Sequence, residues 1–493
     1  MKKFLLIPII FLIILTGCTN ENQERKEVNT VSRVVIGSED ISSQYTDSHI
    51  IKLNGNSGTY DGEEIKEYNY TLNYDSTSVH NDVKNSPAIY YTGDKPSEDD
   101  SIYIAHDIIY YPELDADKFT LVNYDGEMEY VYYYEDGENN EYIFSTLPSI
   151  YNEVPTQMMH SKQEAYDNPV LHIKQAGTYI LEGNFKGQVN ISFDDENSFT
   201  NIEDKVTIIL NGVDIECSVA PAIFFENLYE CDNTWEEKEE HSSVVDTSEA
   251  GANVIIADQS VNNIIGSNIY RILKTKYKDE ESTSAIKTQK KQYKYDGAFY
   301  SCVSMNIYGD TGILNITSTT YEGLDTELHL TINGGYIYIY SQDDGVNVNE
   351  DDVSVVTING GNINIFAGLG AEGDGIDSNG YVTINGGTLI AVANPVSDNG
   401  VDAAKEISVN GGNVVALGST MFQNSYSIYI DGQAQYNSQF IEGLSNFGKI
   451  GGPGNNNFNP NNIPEKFNEN FDFENMPNDF GPDNMPQRVN SQN

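Results

Sequence analysis

Four short phrases place an acid or amide, a glycine, an apolar residue and a second acid or amide in fixed order. They are Glu322-Gly323-Leu324-Asp325, Asp344-Gly345-Val346-Asn347, Asp374-Gly375-Ile376-Asp377 and Asn399-Gly400-Val401-Asp402. Each precedes an Asn-Gly-Gly whose Asn lies at 333, 359, 385 or 410, in steps of 26, 26 and 25 residues. If equivalent residues stack at the strand spacing of about 4.8 Å, two polar columns result. One is Glu322, Asp344, Asp374, Asn399; the other is Asp325, Asn347, Asp377, Asp402. Calcium takes six to eight oxygens at about 2.3–2.6 Å, so oxygens on opposite sides of one ion lie about 5 Å apart. Stacked carboxylates therefore suit one shared Ca2+, with Asp398 joining from an adjoining turn. Without a cation they repel and raise one another's pKa. The plain alternative is that Asp-Gly and Asn-Gly are turn signals. Because the apolar third residue points inward, the second column is expected to face solvent, and the first to lie at a corner.

A period of about 25 residues, rich in β-branched and aromatic residues and in Gly, means a solenoid of short strands. The reading is all-β: a parallel β-helix with one coil per repeat. After each Gly-Gly a strand alternates. Ile337/Ile339, Ile363/Ile365, Leu389/Ala391 and Val414/Ala416 are expected inside. The outward set begins with Tyr336, Tyr338, Tyr340 and Phe366, a platform on which the apolar faces of sugar rings stack, unless another segment covers it.

The chain has 493 residues and a formal charge of −48 from 27 basic and 75 acidic residues. Nucleic acid is excluded as a partner, because phosphate binding needs a basic footprint. Lys2 and Lys3 precede an apolar run from Phe4 to Leu15, too short to span a membrane and right for a secretion signal. It ends in Leu15-Thr16-Gly17-Cys18, which resembles a bacterial lipobox. That resemblance implies cleavage after residue 17 and a lipid on Cys18, anchoring the chain to the extracellular face of the cell membrane. Cys217, Cys231 and Cys302 match no zinc spacing; a 217–231 bridge and three free thiols are both open.

The expected division is a signal at 1–17, a tether at 18–35, a β-rich N-terminal region or insertion at 36–165, the β-helix at 166–450 and a disordered Asn/Pro/Met-rich tail at 451–493. Ile50-Ile51-Lys52-Leu53-Asn54-Gly55 already looks like a coil start. Two charged insertions, Glu230–Glu249 and Arg271–Lys294, read as solvated loops, the basic one alternatively as a contact for an acidic polymer.

Ala176-Gly177-Thr178-Tyr179-Ile180-Leu181, Leu210-Asn211-Gly212-Val213-Asp214-Ile215 and the Asp-Gly-Ile-Asp and Thr-Ile-Asn-Gly-Gly repeats are similar to a bacterial lipoprotein family. Its members are β-helical carbohydrate-binding proteins related in fold to pectate lyases. The resemblance spans roughly 170–420. It implies a right-handed helix, calcium between coils, and binding of cellulose or acidic, pectin-like polysaccharide without cleavage. Two other functions stay open, a lyase acting on uronic acid polymers and a non-catalytic adhesin or envelope scaffold. A lyase needs a base, and Lys405 is the one cation near the acidic columns in the regular repeats. The chain is expected to act as a monomer.

Overall fold

The computed structural model describes residues 34–37, 41, 44–45, 47–79, 87–97, 99–108, 119–124, 127–135, 141–145, 162–195, 197–267, 274–278, 286–288, 295–370, 372–396, 398–422, 428–430 and 433–435. The signal segment with Cys18, most of the tether and the Asn-rich tail lie outside them.

The described residues are nearly all β, with one five-residue α-helix, Lys162–Tyr166. Parallel ladders dominate. The first runs through Ala252–Ile256, Met305–Gly309, Leu330–Ile332, Val355–Ile358, Tyr381–Ile384 and Glu406–Val409. The second runs through Val261–Gly266, Ile313–Ser318, Tyr336–Tyr340, Asn362–Phe366, Thr388–Val392 and Asn413–Leu417. The third runs from Val170–Ile173 through Gln188–Ile191, Ile223–Phe225, Gly297–Ser301, Glu322–Thr326, Val346–Val348 and Ile376–Ser378 to Asn399–Val401. Each repeat of the sequence gives one strand to each ladder. Upstream, the long strands Ser48–Gly55, Gly177–Lys186 and Val206–Glu216 pair in parallel and feed the first two ladders. The coil-like text at Ile50–Gly55 lies in a strand paired in parallel with Gly177–Lys186.

The expected alternation holds in register. Ile337, Ile339, Ile363, Ile365, Ala391, Val414 and Ala416 are fully buried and Leu389 nearly so, while their neighbours along each strand face out. Burial of each Ile contributes about 1.5–3 kcal/mol. At the upstream end His49 stands in register with buried Tyr179. Its ring lies between Tyr60, at 5.1 Å, and Tyr179, at 5.6 Å, and its Nδ1 is 2.7 Å from an Asp61 oxygen. Tyr60 belongs to Ser57–Tyr60, which pairs antiparallel with Ser48–Gly55, so the parallel ladder gives way here to a hairpin.

The Asn-Gly-Gly corners are built from both glycines. Gly335, Gly361, Gly387 and Gly412 have φ of 94°, 94°, 80° and 78°, where an L side chain is strained. A Cβ on Gly386 would lie 2.7 Å from the Asn359 carbonyl oxygen, and one on Gly411 2.5 Å from that of Asn385. The Asn side chains form their own ladder. Asn359 donates to Asn333, Asn385 to Asn359 and Asn410 to Asn385, each at 2.9 Å. Gly361→Ala is expected to lower stability by about 1 kcal/mol, read as a lower urea midpoint at unchanged slope.

Both charged insertions depart from the expectation of solvated loops. Strand Lys274–Lys278 pairs with Ile286–Thr288 and with Glu141–Ser145, joining Glu127–Glu135 and Phe119–Tyr124 in one antiparallel sheet. The acidic segment 230–249 lies on the first ladder. Glu230 is completely buried and accepts bonds from the Ser304 amide (2.6 Å) and hydroxyl (2.8 Å). A buried carboxyl group held by such donors fastens its segment to the ladder. The three cysteines described are free thiols, so no 217–231 bridge forms.

Candidate functional site

The two columns stack as the repeat spacing requires. Gly323 N donates to Asp344 O, Gly345 N to Asp374 O and Gly375 N to Asn399 O, at 2.9 Å each. In the third ladder Asp325 pairs with Asn347 and Asn347 with Asp377. Asp402 follows, its amide bonded to Ile376 O at 2.7 Å.

The second column does not face solvent at its upstream end. Asp325 is 0% and Asn347 6% exposed; Asp377 and Asp402 are half-buried. The reason lies upstream on the same outward face. Asp325 stands beside Tyr300, which stands beside Phe224, and both aromatics are buried. Tyr295 packs 4.4 Å from Phe224 and 5.2 Å from Tyr300. Asn349 reaches back to Asp325 at 2.7 Å. The outward face of the third ladder is therefore packed there against a second aromatic layer rather than open to water.

Asp296, Glu322 and Asp325 converge. Among the described residues this is the one set of three metal-type ligands whose atoms lie within 4.8 Å of one another, and all three residues are buried. Three carboxyl groups crowded away from water are stabilised by protonation, by hydrogen bonds or by a compensating positive charge. All-oxygen donors at this spacing fit a hard cation such as calcium. Glu322 and Asp325 were expected; Asp296 was not. Its signal in the sequence is an Asp-Gly 26 residues before Glu322-Gly323, although the ladder sets Gly297 opposite Glu322, a step of 25.

Further along, the first-column carboxylates are fastened to backbone. The Asp374 amide donates to Asp344 Oδ1 at 2.6 Å, the Asn399 amide donates to the Asp374 carboxylate, and Gly373 N donates to Asp398 Oδ2 at 3.0 Å. Asp402 accepts from Asn399 Nδ2 and from Ala403 N, both at 2.7 Å, and Asn347 donates to Asn349 at 3.2 Å. Burial, then repulsion from Asp377, Asp343 and Glu322, holds the Asp344 carboxyl well above its ordinary range. Burial pushes Asp374 up to about 7 against the lowering bond from Asn399, with Asp377, Asp402 and Asp398 adding repulsion. A cation would relieve this strain.

The aromatic strip lies one turn away in sequence, on the second ladder. Tyr336 is 41% exposed, Tyr338 and Tyr340 are half-buried, and Tyr340 stacks on Phe366 at 5.4 Å and 12°. Thr388, Ile390 and Val392 continue this outward face in register. Lys405 ion-pairs with Asp352 at 2.6 Å, and that hydrogen bond raises its pKa.

Residues 167–444 match the model of a family described as carbohydrate-binding domain-containing protein. The chain belongs to that family. Its carbohydrate-binding domain therefore contains the three ladders from Val170 onward, the acidic columns and the tyrosine strip. A solved structure, the polysaccharide lyase-like protein from C. thermocellum in its gadolinium derivative, is similar at 23% identity over 51% of this chain and 87% of that one, with a TM-score of 0.33. No curated protein matches.

Proposed function

We propose that the chain is a surface-anchored, calcium-dependent polysaccharide-binding lipoprotein without catalytic activity. Its ladders would close as one right-handed parallel β-helix, one coil per repeat. Cys18 would carry the lipid that holds it to the extracellular face of the membrane. The observation that carries the reading is the pairing of an outward aromatic strip, Tyr336, Tyr338, Tyr340 and Phe366, with half-buried carboxylates that begin at Asp344, four residues beyond Tyr340. Aromatic faces stack on sugar rings. Calcium held by Asp344, Asp374, Asp377 and Asp398 would supply positive charge for the carboxylates of an acidic, pectin-like glycan. An ion at Asp296, Glu322 and Asp325 would be walled off from glycan and would stiffen the fold.

A lyase reading asks for a base that gives up its proton near neutral pH. Lys405, paired with Asp352 and raised in pKa, is poorly suited, which supports the binder. Tyr336→Ala with Tyr338→Ala is expected to weaken binding to polygalacturonate or cellulose about tenfold, the equivalent of about 1.4 kcal/mol, with no unsaturated product in the same cuvette. Unchanged affinity would move the platform elsewhere. Product absorbance that grows with time would replace the binder by a lyase. An intact protein that binds neither polymer would leave the scaffold reading.

A further inference from the structure

The acidic segment 230–249 is a strap that goes out along the first ladder and returns to the repeat it left. Near its start Asp232 lies 3.4 Å from His329 Nε2. Near its end the Thr247 hydroxyl lies 2.8 Å from Thr331 Oγ1 and donates to Asn306 Oδ1 at 2.9 Å. His329 and Thr331 are two residues apart, so both ends are fastened at one level. Between them the strap reaches two repeats further. Tyr381 Oη donates to His241 O at 3.3 Å, and Thr383 Oγ1 donates to Ser243 O at 2.8 Å. From 241 to 247 the chain alternates: His241, Ser243 and Val245 are half-buried and Thr247 is buried, while Ser242, Val244 and Asp246 are exposed. The peptide thus reaches from Thr331 to Thr383, two members of a row of hydroxyl residues, Thr331, Thr357, Thr383 and Ser408, paired across successive strands.

We infer that this strap is a displaceable cover over a second glycan-binding strip. The inference rests on the carbohydrate-binding reading and extends it to the regulation of binding. The strip offers what a polyhydroxyl chain recognises, a straight row of hydroxyl donors and acceptors with Tyr381 at its side. The strap occupies Tyr381 and Thr383 through main-chain carbonyls and Thr331 through the Thr247 hydroxyl, acceptors that sugar oxygens can replace. Its outer face carries exposed Glu236, Glu237, Glu239 and Glu240, which repel an acidic polymer while the strap is down. With both ends on one repeat, the strap lifts or shortens without pulling on the sheet.

The chain has a single Trp, Trp235, and it is half-buried in the strap, so one fluorophore reports on its position. The full-length chain is titrated with polygalacturonate and with cellohexaose, beside a variant in which residues 236–244 are replaced by Gly-Ser-Gly-Ser. The shortened variant is expected to bind polygalacturonate at least fivefold tighter, with a smaller gain for the neutral sugar. In the wild-type chain Trp235 emission is expected to shift to the red at saturation. Equal affinities with unmoved Trp235 emission overturn the cover while glycan binding stands. Weaker binding by a variant that melts like the wild type overturns it too, making the strap part of the site. No binding by either form overturns the underlying carbohydrate reading as well. If the variant does not fold, the wild-type Trp235 signal alone decides.

Discussion

Asp325→Asn is expected to raise the melting temperature in excess chelator and to lower it in millimolar calcium. The crossing follows from the packing of Asp296, Glu322 and Asp325, whose ligand atoms lie within 4.8 Å of one another in a buried site. Three like charges at that spacing repel, and burial leaves little water to screen them. Removing one charge without changing shape relieves the repulsion when no cation is present. With a cation, the same change deletes a hard oxygen ligand and weakens binding. An ion at a hundred times its dissociation constant stabilises the folded state by about 2.7 kcal/mol, so losing it should cost about 3 °C in a chain of this size. Asp402→Asn is the control. Its carboxylate is already occupied by Asn399 and Ala403, so its effect should be small in both buffers. A fall in both buffers for Asp325→Asn would return the trio to a hydrogen-bonded structural cluster. A rise in both would mean that no cation binds there at millimolar concentration.

The sequence made the ladders legible because two periods agree in it. The step of 25 or 26 residues fixes which strands are neighbours, and the alternation of Ile337, Ile339, Ile363 and Ile365 with Tyr336, Tyr338 and Asn364 fixes which face is inside. Asp344, Asp374 and Asn399 could be aligned for the same reason, each marked by a following glycine that the packing requires. A Cβ on Gly345 would lie 2.6 Å from Gly375 O, and one on Gly375 2.3 Å from Gly400 O. Asp296 escaped because Phe299 and Tyr300 stand where the next repeat carries Leu324 and Asp325, so the phrase loses its second acid just where the third ladder gains an aromatic layer. The burial of Asp325 escaped for the same cause. Alternation separates inside from outside a coil, but it cannot tell an outside wrapped by Tyr295 and Tyr300 from one open to water. The strap escaped because its anchors are single residues, Glu230 and Thr247, whose partners Ser304, Asn306 and Thr331 lie on other repeats. No periodicity within 230–249 announces them.

The acidic columns also set a pH dependence opposite to that of most carboxylates. Asp344 sits well above its ordinary range through burial and the neighbouring charges of Asp377, Asp343 and Glu322, and burial places Asp374 at about 7. The unfolded value is about 3.9. A folded pKa above the unfolded one means that the folded state holds its proton more tightly. Its contribution is complete below about pH 4 and is lost as pH rises through the folded value. In chelator the protein is therefore expected to melt lower at pH 8 than at pH 5. Because Asp374 is partly open to solvent, the loss from that group is on the order of 2 kcal/mol rather than its full linkage value. Calcium is expected to reverse the slope if it binds the ionised carboxylates, because it would displace the proton as pH rises. Melting curves at pH 5, 6, 7 and 8, with and without calcium, give both slopes. Asp374→Asn should flatten both, because an amide neither titrates nor carries charge for the ion. If the wild-type slope in chelator rises instead, ordinary ion pairs such as Lys174 with Asp194 and Lys205 with Glu249 govern the pH response, and the columns are turn residues rather than ligands in waiting.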